Sequence, residues 1–379
     1  MKLKVFLICT GLGHVMRGYE SFAEQAFQAL SKEPSLDIIL FKGGGKAKAK
    51  EIPLWNFPRD TRTACRIAKY TKTSNYFVEQ ISFFLSLIPH IQTEKPDVIY
   101  FSDNDIGNFL AHWRRFTKQS YKLLFCNGGP LGSKSPIFAN CDFIQQIAPQ
   151  HLQYCLKAGI PAQKQTLVTY GTEIPAELQI LLPSEKEALR NKLGLPEKTP
   201  LILSVGYISK KPKRMDYLIR EVASLPEPRP YLLLLGQQDG SSTEIIELGN
   251  SLLGAENFQG RTVASNEVAN YYKIADAFVL VSLSEGLGRV FLEAMSYGLP
   301  CIVHDYGITR YIFEKEGYFG DFTHKRSLAD LISQVLSENG DKSKFYQRHK
   351  FIYERFSWAK LLSSYVEMIH IVANSIKNF

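Results

Sequence analysis

The chain has 379 residues, 45% hydrophobic and 22% charged, which excludes disorder, collagen and coiled coil and, at about 150 residues per domain, predicts two or three domains. Its longest apolar stretch, Ile81 to Ile91, contains Pro89 and falls far short of the ~20 residues of a membrane span. The formal charge of +8 lies wholly in residues 1–176, with 21 Lys/Arg against 13 Asp/Glu, while the remainder holds 24 of each; such asymmetry points to an anionic partner for that half.

The six cysteines show neither Cys-x-x-Cys nor zinc spacing, so free thiols in a reduced, cytoplasmic protein are expected. Met1-Lys-Leu-Lys reads as the start of a buried strand rather than a cleaved leader. Lys4 to Thr10 is then the first strand, and Tyr19 to Ser31 an amphipathic helix. Further strands are expected at Asp37–Phe41, Asp97–Phe101, Lys122–Cys126 and Phe143–Ile147. After Gly171 the rhythm restarts with Leu201–Val205, Tyr231–Leu235, Ala277–Ser282 and Cys301–His304. Strands alternating with helices imply βαβ units, and uniformly apolar strands imply parallel sheets covered on both faces. The boundary is expected at Gly171-Thr-Glu-Ile-Pro175, giving α/β architecture with two Rossmann-like domains, 1–176 and 177–356. A helix over Ser184–Leu193 should open the second, and a long helix from Ser357 to about Ile376 should end the chain (residues 357–379).

Between the first two predicted elements lies Gly11-Leu-Gly13-His14, a glycine loop that suits close backbone approach to a diphosphate or sugar. Its continuation, Val15 to Gly18, does not complete Gly-x-Gly-x-x-Gly, so a nicotinamide cofactor is rejected. Arg62, Arg66, Lys69 and Lys72 fall on one face of a candidate helix near the basic Lys42–Lys50 loop, followed by Tyr76, Phe77, Ile81, Phe83, Phe84 and Leu85. Such a face suits an anionic membrane surface, while no nucleic-acid module is visible. Asp103-Asn-Asp105 superficially matches an Asp-x-Asp metal motif, but its position after a Rossmann-type strand suits a cleft-lining, acceptor-binding role without metal.

The most informative stretch is Ala277 to Val303. It reads as strand, Gly loop, helix Arg289–Tyr297, Gly298 cap, then strand. Its loop, with Gly286 and Gly288, sits at a strand's carboxyl end where helix-start amides favour phosphate. Glu285 precedes that helix and Glu293 lies inside it. Lys210-Lys-Pro-Lys-Arg214 follows the strand at Leu201–Val205 and Gly206, a placement suited to phosphate neutralisation.

These features together resemble retaining glycosyltransferases of family 4, which have the two-domain GT-B fold. Glu285 and Glu293 match that family's Glu–seven residues–Glu motif with its Gly286, Gly288 and Leu-Glu-Ala context. The stretch Ser204 to Ile219 is similar to its second signature, with Lys213 at the phosphate-binding lysine. Asn257-Phe-Gln-Gly260, Tyr272-Lys-Ile-Ala-Asp276 and Arg355-Phe-Ser-Trp358 follow in the family's order. The resemblance covers residues 150–370 well and the N-domain weakly. It implies an N-terminal acceptor domain and a C-terminal donor domain facing a central cleft, with the last helix crossing back onto the N-domain. It implies transfer of a hexose from a nucleotide diphosphate sugar, best UDP-glucose with GDP-mannose as rival, to a saccharide or lipid-linked saccharide in exopolysaccharide or envelope glycan synthesis. No metal or other cofactor is implied.

Glu285 and Lys213 are the implied catalytic residues. Gly13, Gly206, Lys213, Arg214, Glu285, Gly286, Leu287, Gly288, Arg289 and Glu293 are the implied donor contacts, and His14, Arg17 and Asp103 the acceptor contacts. The departure is Tyr207, where the family often has Arg. That keeps open an inactive nucleotide-sugar-binding partner or scaffold. The implied place is the cytoplasm, peripheral on the inner face of the plasma membrane.

Overall fold

The computed structural model describes residues 2–15, 17–129, 131–132, 134–338 and 341–375. The chain divides into two units, Met1–Glu173 with Phe356–Phe379, and Ile174–Arg355.

In unit 1 the strands are β1 (Leu3–Cys9), β2 (Leu36–Lys42), β3 (Glu51–Pro53), β4 (Val98–Phe101), β5 (Lys122–Asn127), β6 (Phe143–Gln146) and β7 (Gln165–Leu167). They form one parallel sheet in the order β3-β2-β1-β4-β5-β6-β7. Its central strands are buried on both faces because helices cover both, which is why they read as unbroken apolar runs. One face carries a core of Phe6, Phe41, Phe83, Phe101 and Phe125.

The last helix, Trp358–Asn374, belongs to this unit. Trp358 N donates to Thr172 O, Thr172 N to Phe356 O, and Tyr365 OH to Thr169 O at 2.7 Å. Trp358 also stacks on Phe22. The expected helix end near Ile376 lies outside the described residues.

Unit 2 repeats the arrangement with β8 (Leu201–Val205), β9 (Tyr231–Leu235), β10 (Phe258–Arg261), β11 (Ala277–Leu280), β12 (Cys301–His304) and β13 (Tyr318–Gly320), parallel in the order β10-β9-β8-β11-β12-β13. Asp276 clamps it: the carboxylate receives Lys186 at 2.6 Å, Arg190 at 2.7 Å and the Leu201 amide at 2.7 Å. Those contacts fix the helix Pro183–Lys192 against the start of β8 and β11.

Four strands were not expected from the sequence: β3, β7, β10 and β13. They are the four edge strands. Each is three or four residues long and only partly buried, so no apolar run marks it. A second correction concerns the basic helix, which spans Arg62–Thr71; Lys72 takes φ 56° and ends it, so only three of the four cations share the helical face. A third is that Phe83 and Phe84, expected beside those cations on an amphipathic surface, belong to the core. Among the described residues no helix is long and apolar enough to cross a membrane.

Candidate functional site

The site in unit 2 follows from strand order. β8 and β11 are neighbours, and the sheet grows away from them in opposite directions. The loops leaving their carboxyl ends therefore part to opposite faces, which is where open α/β sheets bind ligands. The loop after β8 carries Lys213, whose Nζ donates to Glu285 Oε1 in the loop after β11, 72 residues further on. Both side chains are half-buried. Gly206 lies against the Lys213 stem, where a Cβ would make ordinary van der Waals contact at 3.4 Å.

Arg214 takes a different course. It adopts φ 53°, donates to Phe322 O at 2.9 Å and lies over the Tyr217 ring at 4.5 Å. The two cations that the sequence places side by side are thus directed to different partners.

Gly288 has φ 74° and caps the helix Arg289–Ser296; a Cβ there would lie 2.5 Å from the Phe291 ring. Only glycine fits that turn. Leu287 and Arg289 are buried while Gly286 is half-buried, so the loop presents backbone rather than the Leu287 or Arg289 side chains. One turn inside, Glu293 Oε2 accepts from Tyr272 OH at 3.1 Å, and Tyr272 stacks on Tyr297 with 5.5 Å between ring centroids. Burial, reinforced by the Glu293 carboxylate, pushes the Tyr272 hydroxyl well above its ordinary range, which keeps it a donor.

Three polar residues at this end of the sheet escaped the sequence reading as site residues. Tyr272 sat inside a quoted motif, but nothing local said its hydroxyl meets Glu293. Tyr306, just after β12, has a hydroxyl that burial and the nearby Glu285 charge push above its ordinary range. Ser282 Oγ, two residues past β11, is buried and, among the described residues, has no hydrogen-bond partner. For Tyr306 and Ser282 the position just past a strand was the available signal; Tyr272 lies in the helix Val268–Ile274 and had none. Tyr207 pairs through its hydroxyl with Asp239, whose carboxyl is pulled down to about 2 by Ser241 and this tyrosine.

The remaining expected residues lie in unit 1, at the carboxyl ends of β1 and β4. Gly13 takes φ 94°, and a Cβ there would lie 2.3 Å from the Gly44 backbone, so the glycine loop packs on Gly43–Gly45 in a way no other residue permits. His14 and Arg17 are exposed, and the His14 ring lies against Gly44. Asp103 accepts from Thr10 Oγ1 at 2.6 Å and from the Tyr76 hydroxyl. Burial raises its carboxyl above the usual range against the pull of those two hydrogen bonds. Asp105 sits in the first turn of the helix Asn104–Thr117. Among the described residues, no three His, Cys, Asp or Glu side chains converge as a metal site.

Residues 185–354, which include both loops of the Lys213–Glu285 pair, match the family described as glycosyl transferases group 1. The match covers just under half of the chain. Among curated relatives, a D-inositol 3-phosphate glycosyltransferase of Xylanimonas cellulosilytica is 26% identical over 218 residues, 56% of this chain and 50% of that protein. An uncharacterized glycosyltransferase of Methanocaldococcus jannaschii is 27% identical over 62% of this chain and 61% of its own length. The chain thus spans about half to three fifths of the length of these relatives. Among solved structures, the sucrose-phosphate synthase of Thermosynechococcus elongatus superposes with a TM-score of 0.80 at 18% identity, covering 99% of this chain and 100% of that one. HepE of Anabaena, solved in complex with UDP-glucose, gives 0.75 at 14% identity over 97% and 99%. The fold is GT-B, two parallel-sheet Rossmann-like domains.

Proposed function

We propose that this chain is a retaining glycosyltransferase that moves a hexose from a nucleotide diphosphate sugar, best UDP-glucose, to a saccharide or lipid-linked saccharide acceptor of envelope or exopolysaccharide glycans. The observation that carries the reading is the Lys213–Glu285 pair, set beside the Gly286–Gly288 loop at the switch point of unit 2. The donor choice is supported by the UDP-glucose in HepE and the glycan role by a relative named as a lipopolysaccharide core biosynthesis glycosyltransferase of Rhizobium meliloti.

The chemical problem is departure of a nucleoside diphosphate while the anomeric carbon gains positive charge. A diphosphate arriving at the loop competes with Glu285 for the Lys213 ammonium. Once Lys213 turns to the leaving oxygens, the Glu285 carboxylate is released toward the sugar, and first-turn amides of the helix Arg289–Ser296 add to the anion's stabilisation. Glu293, fixed by Tyr272, is the ribose acceptor in this reading, since a carboxylate takes hydrogen bonds from a hydroxyl pair. The acceptor is held by unit 1.

A donor panel read by thermal shift tests this, because a ligand that binds only the folded state raises the melting temperature. UDP-glucose should stabilise more than GDP-mannose, and NMR of the product should show the donor's anomeric configuration preserved. No shift with any nucleotide sugar ends the reading. Binding without release of UDP favours the alternative of a nucleotide-sugar-binding partner, which Tyr207 in place of the usual arginine keeps in view.

Transfer should survive EDTA, with Lys213 and the helix-start amides meeting the diphosphate charge. Loss on chelation, restored by magnesium or manganese, would overturn that part of the proposal.

Association of unit 1 with an anionic membrane is also proposed. The helix Arg62–Thr71 exposes Arg62, Arg66 and Lys69, and Tyr70 beside them is 91% exposed. With Phe83 and Phe84 in the core, the attraction is electrostatic, about 1 kcal/mol per positioned cation, and salt screens it. Vesicles rich in phosphatidylserine should co-sediment the protein at low salt and release it at high salt. Changing Arg62, Arg66 and Lys69 to Glu should abolish the binding while UDP binding persists; wild-type protein that ignores these vesicles at low salt sinks the idea.

A further inference from the structure

The helix Arg289–Ser296, whose first-turn amides meet the diphosphate in the proposed reaction, has only eight residues, about 12 Å of length. A helix this short depends on tertiary contacts to hold its shape. Its C-terminal end is where they concentrate, because each of its last four carbonyls has a donor. Glu293 O accepts from Ser296 Oγ at 2.7 Å, Ala294 O from the Tyr297 and Leu299 amides, and Met295 O from the Gly298 amide at 2.8 Å. The fourth, Ser296 O, is met from another helix, by His349 Nδ1 at 2.6 Å.

His349 sits on the helix Lys342–Phe356 and is only 4% exposed. A carbonyl oxygen can only accept, so Nδ1 carries the proton in this bond. Nε2 is buried and has no hydrogen-bond partner among the described residues. The ring's polarity is thus directed at Ser296 O. Its neighbour Arg348, also buried, donates to Gly298 O at 3.2 Å. Gly298 has φ 74°, and a Cβ there would lie 2.7 Å from Phe345 O, so the two helices meet where only glycine fits.

This cap controls Glu293 from two sides. Through Ser296 Oγ it holds the Glu293 backbone carbonyl. Through Tyr297 it holds the carboxylate, since the Tyr297 ring lies within 14° of parallel to Tyr272, and Tyr272 donates to Glu293 Oε2. Burial and then the Glu293 charge raise the Tyr297 hydroxyl as well, which places that ring beside the carboxylate. Removing the His349 donor leaves the carbonyl of buried Ser296 unpaired, and the peptide must turn to find another partner. That turn carries Tyr297 with it, then the stacked Tyr272, then the carboxylate. Glu285, before the opposite end of the helix, pairs with Lys213 and takes no part in this chain of contacts.

We infer that His349 is a positioning residue that sets the nucleoside selectivity of the site, fixing Glu293 through the Ser296–Tyr297 cap. The inference rests on the reading of Glu293 as acceptor for the ribose hydroxyl pair.

Calorimetric titration of the full chain with UDP and with 2′,3′-dideoxy-UDP tests this, because the second nucleotide lacks that hydroxyl pair. The wild type should prefer UDP by about tenfold or more, the scale of hydrogen bonds to a charged group. His349→Leu removes the donor and keeps an apolar side chain. It should weaken UDP about tenfold and leave the dideoxy nucleotide within about twofold, which erases the preference. His349→Asn, whose amide nitrogen takes the place of Nδ1, should restore it. His349→Gln puts its amide at the Nε2 place, should fail as Leu does, and serves as the deficient variant if His349→Leu does not fold. A histidine with a merely structural role would lower the melting temperature and weaken both nucleotides alike, and that pattern overturns the inference. So does an unchanged preference in the Leu and Gln variants, or an Asn variant as deficient as Leu. Equal binding of the two nucleotides by the wild type strikes the ribose role of Glu293 and this inference with it, whereas no binding of either strikes the donor reading on which both stand.

Discussion

Replacing Glu285 by Gln should cut hexose transfer by about a hundredfold or more while leaving UDP affinity unchanged or tighter. The carboxylate is the partner of Lys213. Neutralising it removes a charge facing the developing cation, and at the same time frees the ammonium for the diphosphate. Lys213→Ala should behave differently, losing turnover by a similar factor and UDP affinity with it, because the diphosphate loses its cation. The contrast separates a catalytic pair from a structural one. An ion pair that merely tied β8 to β11 would lower the melting temperature equally in both variants and leave transfer by the folded protein near normal. Initial rates with UDP-glucose and calorimetric titration with UDP decide between these outcomes.

Asp276→Ala should destabilise unit 2 by about 3–5 kcal/mol, the cost of stripping one partner from a buried ion pair. Arg190 is only 3% exposed and would retain just backbone carbonyls, of Ile274, Glu197 and Thr199. For a unit of this size the loss lowers the melting temperature by roughly 10 °C. The pH dependence has a definite sign. Burial alone would raise the Asp276 carboxyl, but the Lys186 and Arg190 charges outweigh it and hold it below the usual range. A depressed carboxylate contributes stability that is present above its unfolded value near 4 and lost as pH falls through its folded value. Wild-type unit 2 should therefore lose stability below about pH 4, and the Ala variant should lack that share of the decline. Calorimetric melts from pH 7 to 3 check both parts. A variant melting within 2 °C of wild type would show that the clamp contributes little.

The sequence by itself determined the alternation of strands and helices, since β1, β4, β8, β9 and β11 lie in the middle of covered sheets and must be apolar along their whole length. It determined the Gly288 turn for a local reason, a backbone angle and a close approach that only glycine tolerates. The edge strands β3, β7, β10 and β13 left no such mark because a short strand with one open side needs no apolar run. What only the tertiary structure decided is which polar atoms meet. Strand order alone brings Lys213 to Glu285 across 72 residues and Thr10 to Asp103 across 93. Neighbours in sequence can just as readily part: Arg214 leaves Lys213 for Phe322 because a left-handed backbone angle reverses its direction. Periodicity reports whether a side chain is buried, whereas pairing of charges depends on contacts between loops whose separation in the chain carries no periodic signal. That is why Tyr272 on Glu293, His349 on Ser296 and the burial of Phe83 behind the basic helix were set by the packed sheets and not by the local pattern of residues.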